Sequence, residues 1–159
     1  MSEIESKSGS EQVYVAALIC ERVIESKDGI YSAINIFDKF EIDVPEGMEV
    51  PESFPAPTVY CMSIFRSPVP LGFTVVWRIV RPDGVVRESP PERIDILPGK
   101  TGHTSVFEIS LKNAALTGTY LVEVLVDGRR AAFTPLSIAH VPSPSSLLAE
   151  DAPDSAPDQ

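Results

Sequence analysis

The chemistry available to this sequence rests first on two thiols and two imidazoles, Cys20, Cys61, His103 and His140. A thiol becomes a nucleophile when a base or a positive environment holds it as thiolate. Cys20 closes the apolar run Val13 to Cys20, and Cys61 lies inside Thr58 to Arg66, so both sit where burial favours the neutral thiol. His103 falls at a turn and His140 at the end of the last apolar segment, with no patterned partner for either. The expectation is therefore two free, buried thiols and no catalytic residue.

Metal binding is the second chemistry to weigh. Glu41, Asp43, Glu46, Glu49 and Glu52 crowd one stretch around Gly47, and calcium needs such oxygens to converge. Val44, Pro45, Val50 and Pro51 are interleaved with them and keep the backbone extended, which splays the carboxylates. A solvated acidic edge with no metal is expected. Gly99-Lys100-Thr101-Gly102 lacks the spacing of a phosphate-binding loop, so no nucleotide cofactor is expected either.

The remaining candidates bind rather than react. Arg78, Arg81, Arg87 and Arg93 surround Pro82-Asp83-Gly84, and Arg129-Arg130 follow Asp127-Gly128. They are either solubilising charge or, if the fold gathers them, a basic pole for an acidic protein partner or for head-to-tail self-association. Leu147-Leu148, alone in an acidic tail, are either passive or an anchor for a partner's groove. Arg78, Arg81, Arg87, Arg129, Arg130, Leu147 and Leu148 are thus the candidate partner-binding residues. Trp77, Tyr60, Tyr120 and Phe133 fall at alternate strand positions and are expected in the core rather than on a sugar platform.

Charge narrows the partner class. The 159 residues carry a net charge of −10, so phosphate backbones should be repelled and nucleic-acid binding is not expected. Residues 21–52 hold nine acids and three bases, whereas residues 53–141 hold seven acids and nine bases. Apolar residues make up 43% of the chain in short runs, none reaching the roughly 18 residues of a membrane helix. Met1 to Gln12 is polar and acidic rather than basic and then apolar, which leads to the expectation of a cytoplasmic protein with reduced cysteines.

The elements that must position these residues are strands. Gly118 to Ala139 reads as two alternating segments hinged on Asp127-Gly128, a strong hairpin signal because Gly tolerates the positive backbone angles of a tight turn. Val13 to Cys20, Thr58 to Arg66, Phe73 to Val80, Val85 to Glu88 and Phe107 to Leu111 add further strands. Ile30, Ile34, Ile36, Phe40 and Ile42 share one parity across Ile30 to Ile42, with a bulge predicted at Phe37-Asp38. Pro45, Pro51, Pro55 and Pro57 mark residues 43–57 as a surface crossover. Asn113 to Leu116 reads as a brief helical turn. Turn signals near every tenth residue, without helical periodicity, predict an all-β fold: a two-sheet antiparallel sandwich of seven or eight strands over residues 13–141. Residues 1–12 read as a disordered leader and residues 142–159, rich in Pro, Ser and acids, as a disordered tail.

Two resemblances add to this. Cys61 in one strand, Trp77 in a later one, and Leu116-Thr117-Gly118-Thr119-Tyr120-Leu121-Val122 resemble the immunoglobulin-like pattern, with Tyr120 at the tyrosine-corner position. Val122 stands where the second cysteine would be, so the resemblance implies an apolar inter-sheet contact in place of a disulfide. Ala17-Leu18-Ile19-Cys20-Glu21-Arg22-Val23, then Asp28-Gly29-Ile30-Tyr31-Ser32 and Phe54-Pro55-Ala56-Pro57, are similar to a family of small, uncharacterised bacterial proteins that open with an Ala-Leu-Val-Cys-Asp segment. That likeness implies a bacterial, cytoplasmic, β-rich protein and carries no site residues. The expectation is a non-catalytic protein-interaction or assembly module; the alternative is a small-ligand-binding protein or enzyme whose site is built from loops.

Overall fold

The computed structural model of the chain describes residues 13–45, 58–111 and 116–143. Within them are ten strands: β1 (Tyr14–Glu25), β2 (Tyr31–Ile36), β3 (Lys39–Pro45), β4 (Thr58–Arg66), β5 (Leu71–Val80), β6 (Val86–Glu88), β7 (Glu92–Ile96), β8 (Gly102–Ser110), β9 (Gly118–Val126) and β10 (Arg129–Ser143). They form a four-stranded sheet in the order β2-β1-β4-β8 and a six-stranded sheet in the order β3-β10-β9-β5-β6, with β7 also on β5. The two-sheet, all-β architecture is the one that the period-two patterning predicts.

The hairpin forms where the Asp-Gly signal places it. Asp127 and Gly128 take φ values of 48° and 77°, both left-handed, and Arg129 pairs with Val126 across the turn. Such a turn matches the twist of the strands it joins. Asp127 also ties the turn to β5, accepting from the Thr74 amide at 2.9 Å through Oδ1 and donating its own amide to the Thr74 carbonyl at 2.9 Å.

Three features depart from the sequence expectation. First, Phe37-Asp38 is no bulge within one strand: the chain changes sheets there. The Phe37 amide still donates to the Ile19 carbonyl of β1, while the Asp38 carbonyl accepts from Ser137 of β10. Ile42 and Val44 of β3 are therefore buried, whereas Ile34 and Ile36 of β2 face solvent. Second, β3 runs parallel to β10, so the six-stranded sheet is mixed. Third, the strand count exceeds eight partly because β6 and β7 share one side of β5. β6 covers Arg78–Val80 and β7 covers Leu71–Val75, with Pro90-Pro91 between them. The helical turn expected at Asn113 to Leu116 falls outside the described residues apart from Leu116, a bend.

The core fills the space between the sheets. Phe65 of β4 meets Phe73 of β5 with ring centroids 5.4 Å apart. Trp77 of β5 stacks on Phe107 of β8 at 5.3 Å and 6°, and its indole N–H donates to Ser63 Oγ of β4 at 3.0 Å. Both partners of Trp77 lie in the opposite sheet, so this one side chain pins the layers by area and by a directional bond. Val122, at the position of the missing cysteine, is buried beside them. The Tyr120 hydroxyl donates to the Leu116 carbonyl at 3.0 Å, which closes the tyrosine corner predicted from the sequence.

Trp77→Ala should lower unfolding stability by about 3–5 kcal/mol, the usual range for deleting a buried aromatic, as measured by urea denaturation followed by far-ultraviolet circular dichroism. Trp77→Phe should cost less, yet more than ordinary repacking, because it leaves the buried Ser63 hydroxyl without its indole donor.

Candidate functional site: two unequal outer faces and an open edge

The two sheets present opposite kinds of surface. On the outer face of the six-stranded sheet, Glu123 is only 6% exposed and lies between two guanidinium groups. Arg130 Nη1 approaches Glu123 Oε1 at 2.9 Å and Arg78 Nη1 approaches Oε2 at 3.5 Å, while Arg78 Nε also meets Glu88 at 2.7 Å. Arg130 in turn covers the ring of Phe133. That face therefore neutralises its own charge. Phe133 is 58% exposed on it, so the expectation that it belongs to the core does not hold: its register opposite Glu123 turns it outward.

The candidate arginines separate into groups. Arg78 and Arg130 meet at Glu123, and Arg81 pairs with Asp83 at 2.9 Å. Arg87 lies opposite Ile79 on β6 and with Arg81 borders a slot of about 230 Å³ between the sheets, lined by Ile79, Phe107, Ile109 and Tyr120. Arg129 opens β10 at the hairpin. Leu147 and Leu148 lie outside the described residues, as do Glu46, Glu49 and Glu52 of the acidic stretch. Glu41 of that stretch pairs with Lys39 on β3. No group of three metal-binding side chains occurs among the described residues.

The four-stranded sheet differs. Its registers place Ile36 opposite Cys20, Cys20 opposite Tyr60, Leu18 opposite Met62 and Met62 opposite Val106, all on the outward side. A half-solvated antiparallel sheet ordinarily alternates apolar inward and polar outward. Here many outward positions are apolar too, with Ile36 62% and Val106 38% exposed and Ile24 and Ile34 on the same side, where Arg22, Ser32, Thr104 and Glu108 interrupt them. The sequence carries this signal in the near-continuous apolar runs of β1 and β4, where both parities are largely hydrophobic.

At one end of this face the β1–β2 turn and the β7–β8 loop rise to enclose a cleft of about 580 Å³. Met62, Ile64, Ile30 and Leu97 supply its apolar wall, and Arg66, Lys100 and His103 share its polar one with the carboxylates Glu25 and Asp95. The Arg66 side chain lies flat across Gly102, where a Cβ would collide with it. Neither Arg66 nor Lys100 forms an ion pair among the described residues.

The thiols are free and buried, as the apolar runs predict. Burial pushes Cys61 up to about 11, against a smaller opposing effect of its contact with Ser63. Cys20 is raised as well, again chiefly by burial. Both environments disfavour the thiolate that nucleophilic chemistry requires.

No protein-family model matches this chain, and no curated protein does. Solved structures similar to it include an immunoglobulin-like protein from Pseudomonas aeruginosa, 13% identical, with a TM-score of 0.39, over 82% of this chain and 99% of that one. A Pseudomonas fluorescens alkylpurine DNA glycosylase bound to DNA with an abasic site analogue is 14% identical, with a TM-score of 0.46, over 80% of this chain and 30% of that one. A β-glucosidase from Listeria innocua is 7% identical, with a TM-score of 0.44, over 82% of this chain and 16% of that one. This chain thus spans under a third of the length of either enzyme.

Iodoacetamide at neutral pH should leave Cys20 and Cys61 unmodified in the native chain and label both in urea. Because the folded-state value of Cys61 is raised from 9.0 to about 11, its contribution to stability is complete below pH 9 and is lost as pH rises toward 11. Base denaturation should therefore steepen in that window, and Cys61→Ala, though less stable overall, should show a flatter profile there.

Proposed function

We propose that this chain is a non-catalytic protein-interaction or assembly module of a bacterial cytoplasm, and that it works through the outer face of its four-stranded sheet. The observation that carries this reading is the contrast between the faces: one compensates its charges internally, and the other exposes Ile24, Ile34, Ile36 and Val106 around the buried Met62 and Cys20. Contiguous apolar surface on a folded domain marks a contact surface, because leaving it in water costs free energy that a partner recovers. The protected thiols are in keeping with a role in binding. The bacterial and cytoplasmic parts of the reading rest on the resemblance of the Ala17 to Val23 segment and on the acidic composition.

Lysine at Ile34 and Ile36 tests it. Both side chains already reach solvent, so Ile34→Lys with Ile36→Lys should leave the melting temperature within a few degrees of the parent while lowering recovery of specific partners in quantitative affinity capture roughly tenfold, the equivalent of about 1.4 kcal/mol. Undiminished recovery would exclude this face.

The cleft favours a second reading, a binding protein for small anionic amphiphiles that lay an apolar body on Met62 and Ile64 and a carboxylate against Arg66 and Lys100. Medium-chain and aryl carboxylates would then raise the melting temperature of the native chain, but not that of Arg66→Gln with Lys100→Gln.

A further inference from the structure

Resting on the interaction-module reading, we propose that the partner at the β8 edge is a second copy of this chain, which pairs its own β8 antiparallel about Val106 and joins two four-stranded sheets into one.

The edges of the two sheets are unequally protected. β2 is short, and its strand contains Asn35 in a left-handed conformation, φ 53°. β3 carries Lys39, Glu41 and Asp43 and ends at Pro45. β6 is three residues long and is followed by Pro90-Pro91, and β7 is five residues with Glu92, Arg93 and Asp95 among them. Short strands, charge, proline and irregular backbone are the devices that stop an edge from adding a foreign strand. β8 has little of this protection. It runs nine residues in unbroken register with β4, contains no proline or lysine, and carries a single carboxylate, Glu108. Its outer edge has no strand partner among the described residues.

The residues of β8 select both the occupant and the register. An antiparallel pair centred on Val106, the midpoint of the strand, uses the whole of Gly102–Ser110, setting Val106 against Val106 and Thr104 against Glu108. Branched apolar side chains facing each other across a strand pair are favourable, and this centre keeps like charges apart. It also places the two apolar outer faces on the same side. Arg66 supplies the charge complement. Its side chain lies across Gly102 toward the β8 edge, and in this register the second copy's Glu108 lies opposite Thr104, diagonal to Gly102. Arg66 and Glu108 have no ion-pair partner among the described residues of one copy. The two-fold operation joins Arg66 of each copy to Glu108 of the other, so one contact satisfies both groups twice.

Sedimentation equilibrium of the full-length chain tests this. The expected result is a concentration-dependent dimer. Arg66→Glu or Glu108→Arg alone should weaken it roughly tenfold or more, and the double reversal should restore association to near the parent value. Val106→Cys, on the two-fold axis, should form an intermolecular disulfide under mild oxidation, whereas Thr104→Cys should not. A chain that stays monomeric at its highest soluble concentration, a dimer indifferent to the reversals, or a double reversal as weak as the singles would overturn the inference. Ile34→Lys with Ile36→Lys should still dimerise, so the two proposals fail separately. A monomer whose capture of another protein depends on Ile34 and Ile36 leaves the module reading standing without the dimer.

Discussion

The contact between Trp77 and the opposite sheet is the constraint on which the remaining structure depends. A sandwich whose layers meet only through aliphatic side chains has no directional element to fix one layer against the other. Here the indole stacks on Phe107 and donates to Ser63, so it holds β5 against β4 and β8 at once. The Ser63 hydroxyl also lies 3.6 Å from the Cys61 sulfur. A buried hydroxyl thus accepts the indole proton in a sandwich that carries no disulfide across its layers. A buried, satisfied polar contact specifies one alignment where pure burial tolerates several.

Much of this was legible in the residues. Asp127-Gly128 gives the hairpin because so few residue pairs accept two left-handed positions, and Tyr120 forms its corner because the Gly118-Thr119-Tyr120 spacing brings the hydroxyl back over the preceding loop. What escaped the sequence is long-range. Period-two parity says that Ile34 and Ile42 share a face of a strand, but not that the strand leaves one sheet for another between them. Phe37-Asp38 carries no glycine or proline to mark the change; it is made by hydrogen bonds to Ile19 and Ser137, partners that no local window contains. β7 was hidden for a different reason. Glu92 to Ile96 alternates correctly, yet it is five residues between prolines, too short for its pattern to stand out.

The candidate surface was half legible. Runs with both parities apolar, in β1 and β4, show that each side of the strand meets something other than water, and a sequence cannot say whether that something belongs to the same molecule. Once the sheets are assembled, the inward parity is consumed by the core and the outward one is left over. The arginines illustrate the converse. Their clustering around one turn suggested a basic pole, and the register brings Glu88 and Glu123 between Arg78 and Arg130, a compensation that proximity in sequence does not show.

The parallel pair of β3 with β10 has a consequence for how the chain comes to be made. Among the described strands Lys39 has no sheet neighbour until Ser137 has been synthesised, whereas β1, β2, β4 and β8 are complete well before that point. A nascent chain can therefore assemble its apolar-faced layer while the layer that should cover its inner side is still missing the closing strand. Slow, late closure of this kind lengthens exposure to aggregation and makes the last few residues of β10 disproportionately important for yield. Premature termination before Ser137 would leave β3 unpaired and the interior open along one entire flank.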